Sequence, residues 1–284
     1  MSLTITPLSP AFGAEISGID FRRVPSPENI AQLNQTWLEH TVLVFRGQQL
    51  AEDDQRRFAA CFGTVGERAR PVTRRPEGAE YDGSFMLISN ARNDAGEHIG
   101  SLPDGELWFH HDMSYVPEPH KATILYAIHV PASGGNTRFA NMYKAYDNVP
   151  EELKQRLAGR QVLQIYDFAM TEKVDIDTDT TGIKQQWQPI FVTNPETGRP
   201  ALFISRLMSA LIEGLDRAES DDILEQLFDI SEDPSIIYDH VWAPGDLLMW
   251  DNRCSIHART DFPATERRLL RRCTVEGGAL AAAA

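Results

Sequence analysis

Short runs of β-branched and aromatic residues recur along this chain without alternating regularly with helices, and that spacing constrains its fold more than any other feature. TVLVFRG (41–47), FMLISN (85–90), ELWFHHDMSY (106–115) and KATILYAIHV (121–130) are four of them. NTRFAN (136–141), PIFVTN (189–194), PALFIS (200–205), IIYDHVW (236–242), DLLMWDN (246–252) and LLRRCTV (269–275) follow. So many separate strands predict a closed or sandwiched β architecture, either a jelly roll or a double-stranded β-helix. A parallel α/β fold would need a helix between successive strands.

Helical periodicity is confined to four segments, which would pack outside the sheets. At 27–40, Ile30, Leu33, Trp37 and Leu38 share a face behind a Ser26-Pro27 start. Residues 51–62 are similarly amphipathic, and 142–158 and 216–229 are the other two expected helices. No repeat or long linker divides the chain, so a single domain over 1–278 is expected. The final residues 279–284, from Ala279 in the low-complexity GGALAAAA, are expected to fray. Segment 166–188 is acidic and aperiodic, which makes it either a mobile loop bordering the pocket or an ordinary surface excursion.

Charge and cysteine content narrow the function. A formal net charge of -14 disfavours nucleic acid or an anionic membrane as partner. No run approaches the roughly 20 apolar residues of a membrane span, and the N-terminus lacks signal-peptide regions, so the cytoplasm is the expected compartment. Cys61, Cys254 and Cys273 are scattered and odd in number, which suggests neither disulfides nor a thiolate site. Two arginine clusters stand out, at Arg68, Arg70, Arg74 and Arg75 and at Arg267, Arg268, Arg271 and Arg272. They are either solvated surfaces or part of a pocket for small carboxylates, which guanidinium grips through paired hydrogen bonds.

The metal-ligating candidates lie in ELWFHHDMSY. On a strand, His110 and Asp112 would project to one face and His111 to the other. His-x-Asp with a remote histidine is the composition of a 2-His-1-carboxylate triad, which leaves three positions of an octahedral iron(II) open. The chain has eight histidines. His257 is the best third ligand, because Pro244-Gly245-Asp246 makes a turn and the apolar strand after it delivers His257 near a strand end. His40 ends a helix, His120 sits among prolines, and His129 and His240 lack an accompanying polar motif.

An iron site of this kind needs electrons, and a chelating keto acid would supply them. Its far carboxylate then needs a hydroxyl and a cation. Thr137 follows Gly134-Gly135, where backbone can approach closely, and Arg268 lies on a strand that can return beside His257. Taken singly, Thr137 reads first as a turn residue and Arg268 as a solvated base; it is their joint occurrence with the triad that favours a co-substrate site.

These residues match a known family. The chain resembles the taurine and 2,4-dichlorophenoxyacetate dioxygenases from roughly Ile5 to Gly277, through GAEISGID, VLVFRGQ, WFHHD, VPASGGNTRF, NPETGRPALFI, WDNRCSIH and RRLLRR. The resemblance implies a double-stranded β-helix and Fe(II) at His110, Asp112 and His257, with 2-oxoglutarate and O2 as co-substrates. It places the far carboxylate of 2-oxoglutarate on Thr137 and Arg268, and a substrate anion on Arg272, which if buried is otherwise expected to pair with a carboxylate outside the metal ligands. The taurine enzyme has an asparagine where this chain has Glu106, and histidines where it has Arg68 and Arg70. Those departures point away from taurine and make Glu106 and Arg70 candidate substrate contacts. The expected reaction is hydroxylation of a small sulfonate, aryloxyalkanoate or other carboxylate, with release of succinate and CO2. A homo-oligomer, dimer or tetramer, is expected. The alternatives are a silent 2-oxoglutarate sensor and a zinc hydrolase or lyase built on the same triad.

Overall fold

The computed structural model describes residues 3–68 and 83–283. Its largest sheet has seven strands, in the spatial order Thr4–Pro7, Ala14–Ser17, Val42–Phe45, Leu247–Asp251, Ala122–His129, Leu269–Val275 and Met86–Ser89. A four-stranded sheet runs Ile237–His240, Thr137–Asn141, Ser255–Arg259, Leu107–His110. Alternation along the strands explains how the two sheets and the helices share one core. Val42, Val44, Leu125, Leu248, Trp250 and Leu270 point inward to Phe139 and Tyr238 of the smaller sheet. Leu43, Phe45, Ile124, Met249 and Cys273 point outward to Leu33, Trp37 and Phe58 of the covering helices. Both faces of Val42–Phe45 are therefore buried, and that strand reads as a continuous apolar run instead of an alternating one. The mainly β, jelly-roll architecture with peripheral helices matches the expectation from strand spacing.

Helix Pro27–His40 starts where expected, with the Ser26 hydroxyl accepting from the Asn29 amide at 3.2 Å. Helices Glu52–Ala60 and Arg217–Ser231 also fall on their expected segments. The expected helix over 142–158 is instead two, Met142–Asn148 and Glu151–Leu157. Pro150 forces the break: it has no N–H to donate, and it holds Val149 in extended backbone.

Two further departures concern the expected loops. Lys184–Pro189 is a strand paired with Gln161–Tyr166, so the aperiodic excursion between them is only 167–183. The described part of the tail is also paired. Ala281–Ala282 pair with Val192 and Thr193, the Ala283 amide donates to Phe191 O at 2.9 Å, and Leu280 packs on the core.

Candidate active site

The smaller sheet places two imidazoles side by side. His110 ends its strand and lies directly across from His257, with ring centroids 4.1 Å apart. His257 is at the centre of its own strand, Ser255–Arg259, and not near a strand end as the sequence suggested, because a turn at 252–254 separates that strand from Leu247–Asp251. Asp112 also arrives differently. The strand stops at His110, and a turn passing through Met113, at φ 59°, returns the carboxylate to the imidazoles. His110 Nε2 and Asp112 Oδ1 are 3.8 Å apart, and one ligand atom from each of the three residues lies within 4.8 Å of the others. His111 does project the opposite way, stacking on Phe203 at 4.0 Å while its Nδ1–H donates to Asn252 O at 2.7 Å.

The protonation states suit a divalent cation. His110 Nδ1–H donates to Trp108 O at 2.9 Å, which leaves the Nε2 lone pair available. Burial holds the pKa of both His110 and His257 below the ordinary imidazole value, so they are neutral. Burial opposes the charge on Asp112, but Arg272, His257, His110 and the Thr123 hydroxyl together outweigh it and keep the carboxyl well below its usual range. Asp112 Oδ2 accepts from Thr123 at 2.5 Å and forms an ion pair with Arg272 Nη2 at 2.7 Å, and this leaves Oδ1 turned to the histidines. Two neutral imidazoles and one carboxylate are a donor set that fits iron(II), and His257 Nδ1 is buried there without a hydrogen-bond partner.

The triad opens on a cavity between the two sheets, walled by Ile88, Leu107, Leu125, Phe168, Met208 and Trp250. Thr137 and Arg268 line the same cavity. Arg268 is 2% exposed; its Nε donates to Gly135 O at 3.3 Å, and its Nη1 has no partner. Burial and the nearby charge of Arg259 push its pKa well below that of a free guanidinium, the condition of a buried cation awaiting an anion. The adjoining glycines make the close approach possible. A Cβ on Gly135 would sit 3.2 Å from Arg268 Nε, and one on Gly134 would sit 2.3 Å from Asp261 O.

The expected substrate contacts are not gathered in the same way. Arg272 lines the cavity but is paired with Asp112. Glu106 is exposed and lies outside the cavity lining, since it precedes the strand and points away from the site. Arg70 falls outside the described residues.

Two residues that the sequence reading passed over belong to the site. Trp242 Nε1 donates to Thr137 Oγ1 at 3.0 Å. Arg259 lines the cavity and clamps one loop by donating to the carbonyls of Leu102, Asp104 and Gly105 at 2.6, 3.0 and 2.9 Å. Strand alternation could have found Arg259, which is two residues beyond His257.

Comparison with known proteins agrees with this geometry. A family model described as taurine catabolism dioxygenase TauD, TfdA family matches residues 4–274. The chain is 34% identical to the alpha-ketoglutarate-dependent 2,4-dichlorophenoxyacetate dioxygenase of Cupriavidus pinatubonensis, over 96% of this chain and 98% of that one. It is 33% identical to the (S)-phenoxypropionate/alpha-ketoglutarate-dioxygenase of Sphingobium herbicidovorans, over 96% and 94%. Among solved structures, AAD-2 in complex with Mn(II) and N-oxalylglycine superposes with a TM-score of 0.80 at 27% identity, covering 99% of each chain. The chain belongs to the TauD, TfdA dioxygenase family and is an enzyme of its 2-oxoglutarate-dependent dioxygenase class.

Proposed function

We propose that His110, Asp112 and His257 hold Fe(II), that Thr137 and Arg268 receive the far carboxylate of 2-oxoglutarate, and that the enzyme hydroxylates a small organic anion with an apolar body. One observation carries the reading: Arg268, whose buried Nη1 has no partner, lines the same cavity as the triad. Leaving such a cation permanently without an anion would cost several kcal/mol, so the site is built for a dicarboxylate. When bound, iron and the keto acid together reduce O2, yielding succinate, CO2 and a hydroxylated substrate.

The chain's own residues bind, orient and exclude water. Arg268 neutralises the keto acid's distal charge, and the Thr137 hydroxyl adds a directed hydrogen bond. Ile88, Leu125, Phe168 and Met208 form a dry wall suited to an aryl or alkyl body. Arg272 retains guanidinium donors beyond the one that meets Asp112, and it serves the substrate anion. An aryloxyalkanoate suits this combination better than taurine, which has no apolar body, and relatives are named for 2,4-dichlorophenoxyacetate and (S)-phenoxypropionate. Hydroxylation at carbon beside an ether oxygen would cleave the ether. Among the described residues no helix is long and apolar enough to cross a membrane, which is compatible with a dissolved small-molecule substrate.

The test is anaerobic loading with Fe(II) and 2-oxoglutarate, then admission of O2 with a panel of aryloxyalkanoates, alkylsulfonates and neutral aryl ethers. A visible charge-transfer band is expected before O2, then stoichiometric succinate with the anions alone. Asp112→Ala should abolish both. Equal turnover of neutral ethers would overturn the substrate class. A band without O2 uptake would indicate a sensor, and anaerobic turnover a zinc-type hydrolase or lyase.

A further inference from the structure

The Thr137 hydroxyl is not left to choose its own direction. It is 3% exposed and accepts the Trp242 indole N–H at 3.0 Å. A hydroxyl has one proton to give, and among the described residues that of Thr137 has no acceptor. Trp242 can only donate, so the Thr137 proton cannot be satisfied there.

Trp242 is in turn held by a buried relay. Its ring meets that of His240 edge-on, at 4.6 Å and 84°. His240 is fully buried and fixed at both nitrogens. Tyr238 O–H donates to Nδ1 at 2.9 Å, and Nε2–H donates to Asp246 Oδ2 at 3.2 Å. Asp246 Oδ2 also accepts from the Ala243 amide at 2.8 Å and from Arg46 at 2.5 Å. Each group in the chain is thus locked by the next.

We infer that Trp242 is a positioning residue for the co-substrate: by occupying the acceptor side of Thr137 it commits the hydroxyl proton to the distal carboxylate of the keto acid. The inference rests on the proposed reading of Thr137 and Arg268 as the 2-oxoglutarate end of the cavity. It predicts discrimination between keto acids with and without a distal carboxylate, which bulk packing of an indole would not produce.

Calorimetric titration of the anaerobic Fe(II)-loaded enzyme with 2-oxoglutarate and with pyruvate tests it. Trp242→Phe keeps a ring but deletes the donor. It should weaken 2-oxoglutarate about tenfold while leaving pyruvate unchanged, and it should add nothing on a Thr137→Val background. Tyr238→Phe, at a half-buried position, loosens His240 with little risk to folding and should weaken 2-oxoglutarate alone by about threefold. Equal weakening of both keto acids, or additivity with Thr137→Val, would reduce Trp242 to a structural role. Wild-type enzyme binding 2-oxoglutarate no more tightly than pyruvate is a separate outcome, and it would remove the underlying assignment of Thr137 and Arg268.

Discussion

Gly134 shows how one residue without a side chain sets the geometry between the triad and Arg268. Its φ is +72°, and a Cβ there would lie 2.3 Å from Asp261 O, whereas Gly198 has nearly the same φ, +69°, and nothing within 4 Å of its would-be Cβ. Gly134→Ala should therefore cost about 2–4 kcal/mol and Gly198→Ala about 1 kcal/mol. Urea denaturation of both variants checks this, and equal losses would mean that the Asp261 carbonyl yields freely. The SGGNT stretch and the candidates His110, Asp112 and His257 stand out in the sequence through residue type and spacing, whereas Thr137 and Arg268 stand out only jointly with them and through the family resemblance. Arg272 could be picked out as a cation for a substrate anion or a nearby carboxylate, but not as the partner of Asp112 itself, because that pairing joins a strand of one sheet to a turn beyond the other. Trp242 carried no signal, since its only distinguishing feature is a contact with a residue 105 positions away.

Elements built by apolar pattern were legible, and elements built by pairing were not. Val42–Phe45, Ala122–His129 and Leu269–Val275 were visible as apolar runs because they are buried on one or both faces. Gln161–Tyr166 and Lys184–Pro189 are rich in glutamine and have no helical or strand period. Gln161–Tyr166 buries Val162, Leu163, Ile165 and Tyr166, and its buried Gln164 accepts from Ser114 and Ser209, whereas Lys184–Pro189 is only partly buried and is held by the six-residue register between the two. The tail follows the same rule. Ala281–Ala282 have no sequence signal for a strand, yet they complete a three-stranded sheet with Phe191–Thr193. Deleting residues from Leu280 onward should remove two or three backbone hydrogen bonds and part of one leucine's burial. The expected cost is about 1–3 kcal/mol, or several degrees in Tm. Scanning calorimetry of the truncated chain checks this. An unchanged Tm would show that the pairing adds nothing, and 2-oxoglutarate affinity should be unaffected because the tail lies outside the cavity lining.

At the scale of the whole molecule, packing the candidate metal site between two sheets buries imidazoles that an unfolded chain would expose, and this makes folding sensitive to acid. His111 is fully buried, and burial drives its pKa down to about 3; burial, then the charge of Arg272, drives that of His120 down to about 4. An unfolded histidine takes up a proton near pH 6.5. Below that pH the unfolded chain therefore binds protons that the folded chain refuses, so stability falls as pH drops from about 6.5 toward about 4. Each group contributes a slope of up to about 1.4 kcal/mol per pH unit, and neither contributes above pH 7.5. His111→Gln should keep a donor near Asn252 O while removing the titration. Urea unfolding of the metal-free protein at pH 7.5, 6.0 and 5.0 should then show a shallower loss for the variant, by about one histidine's slope. Parallel pH profiles would mean that His111 is protonated within the fold and that its stacked position on Phe203 tolerates charge. In that case the acid sensitivity between pH 7.5 and 5.0 would have to arise from the other imidazoles that burial holds below the ordinary value, His120, His110 and His257, because a carboxyl held ionised in the fold, such as that of Asp112, loses its contribution only below about pH 5.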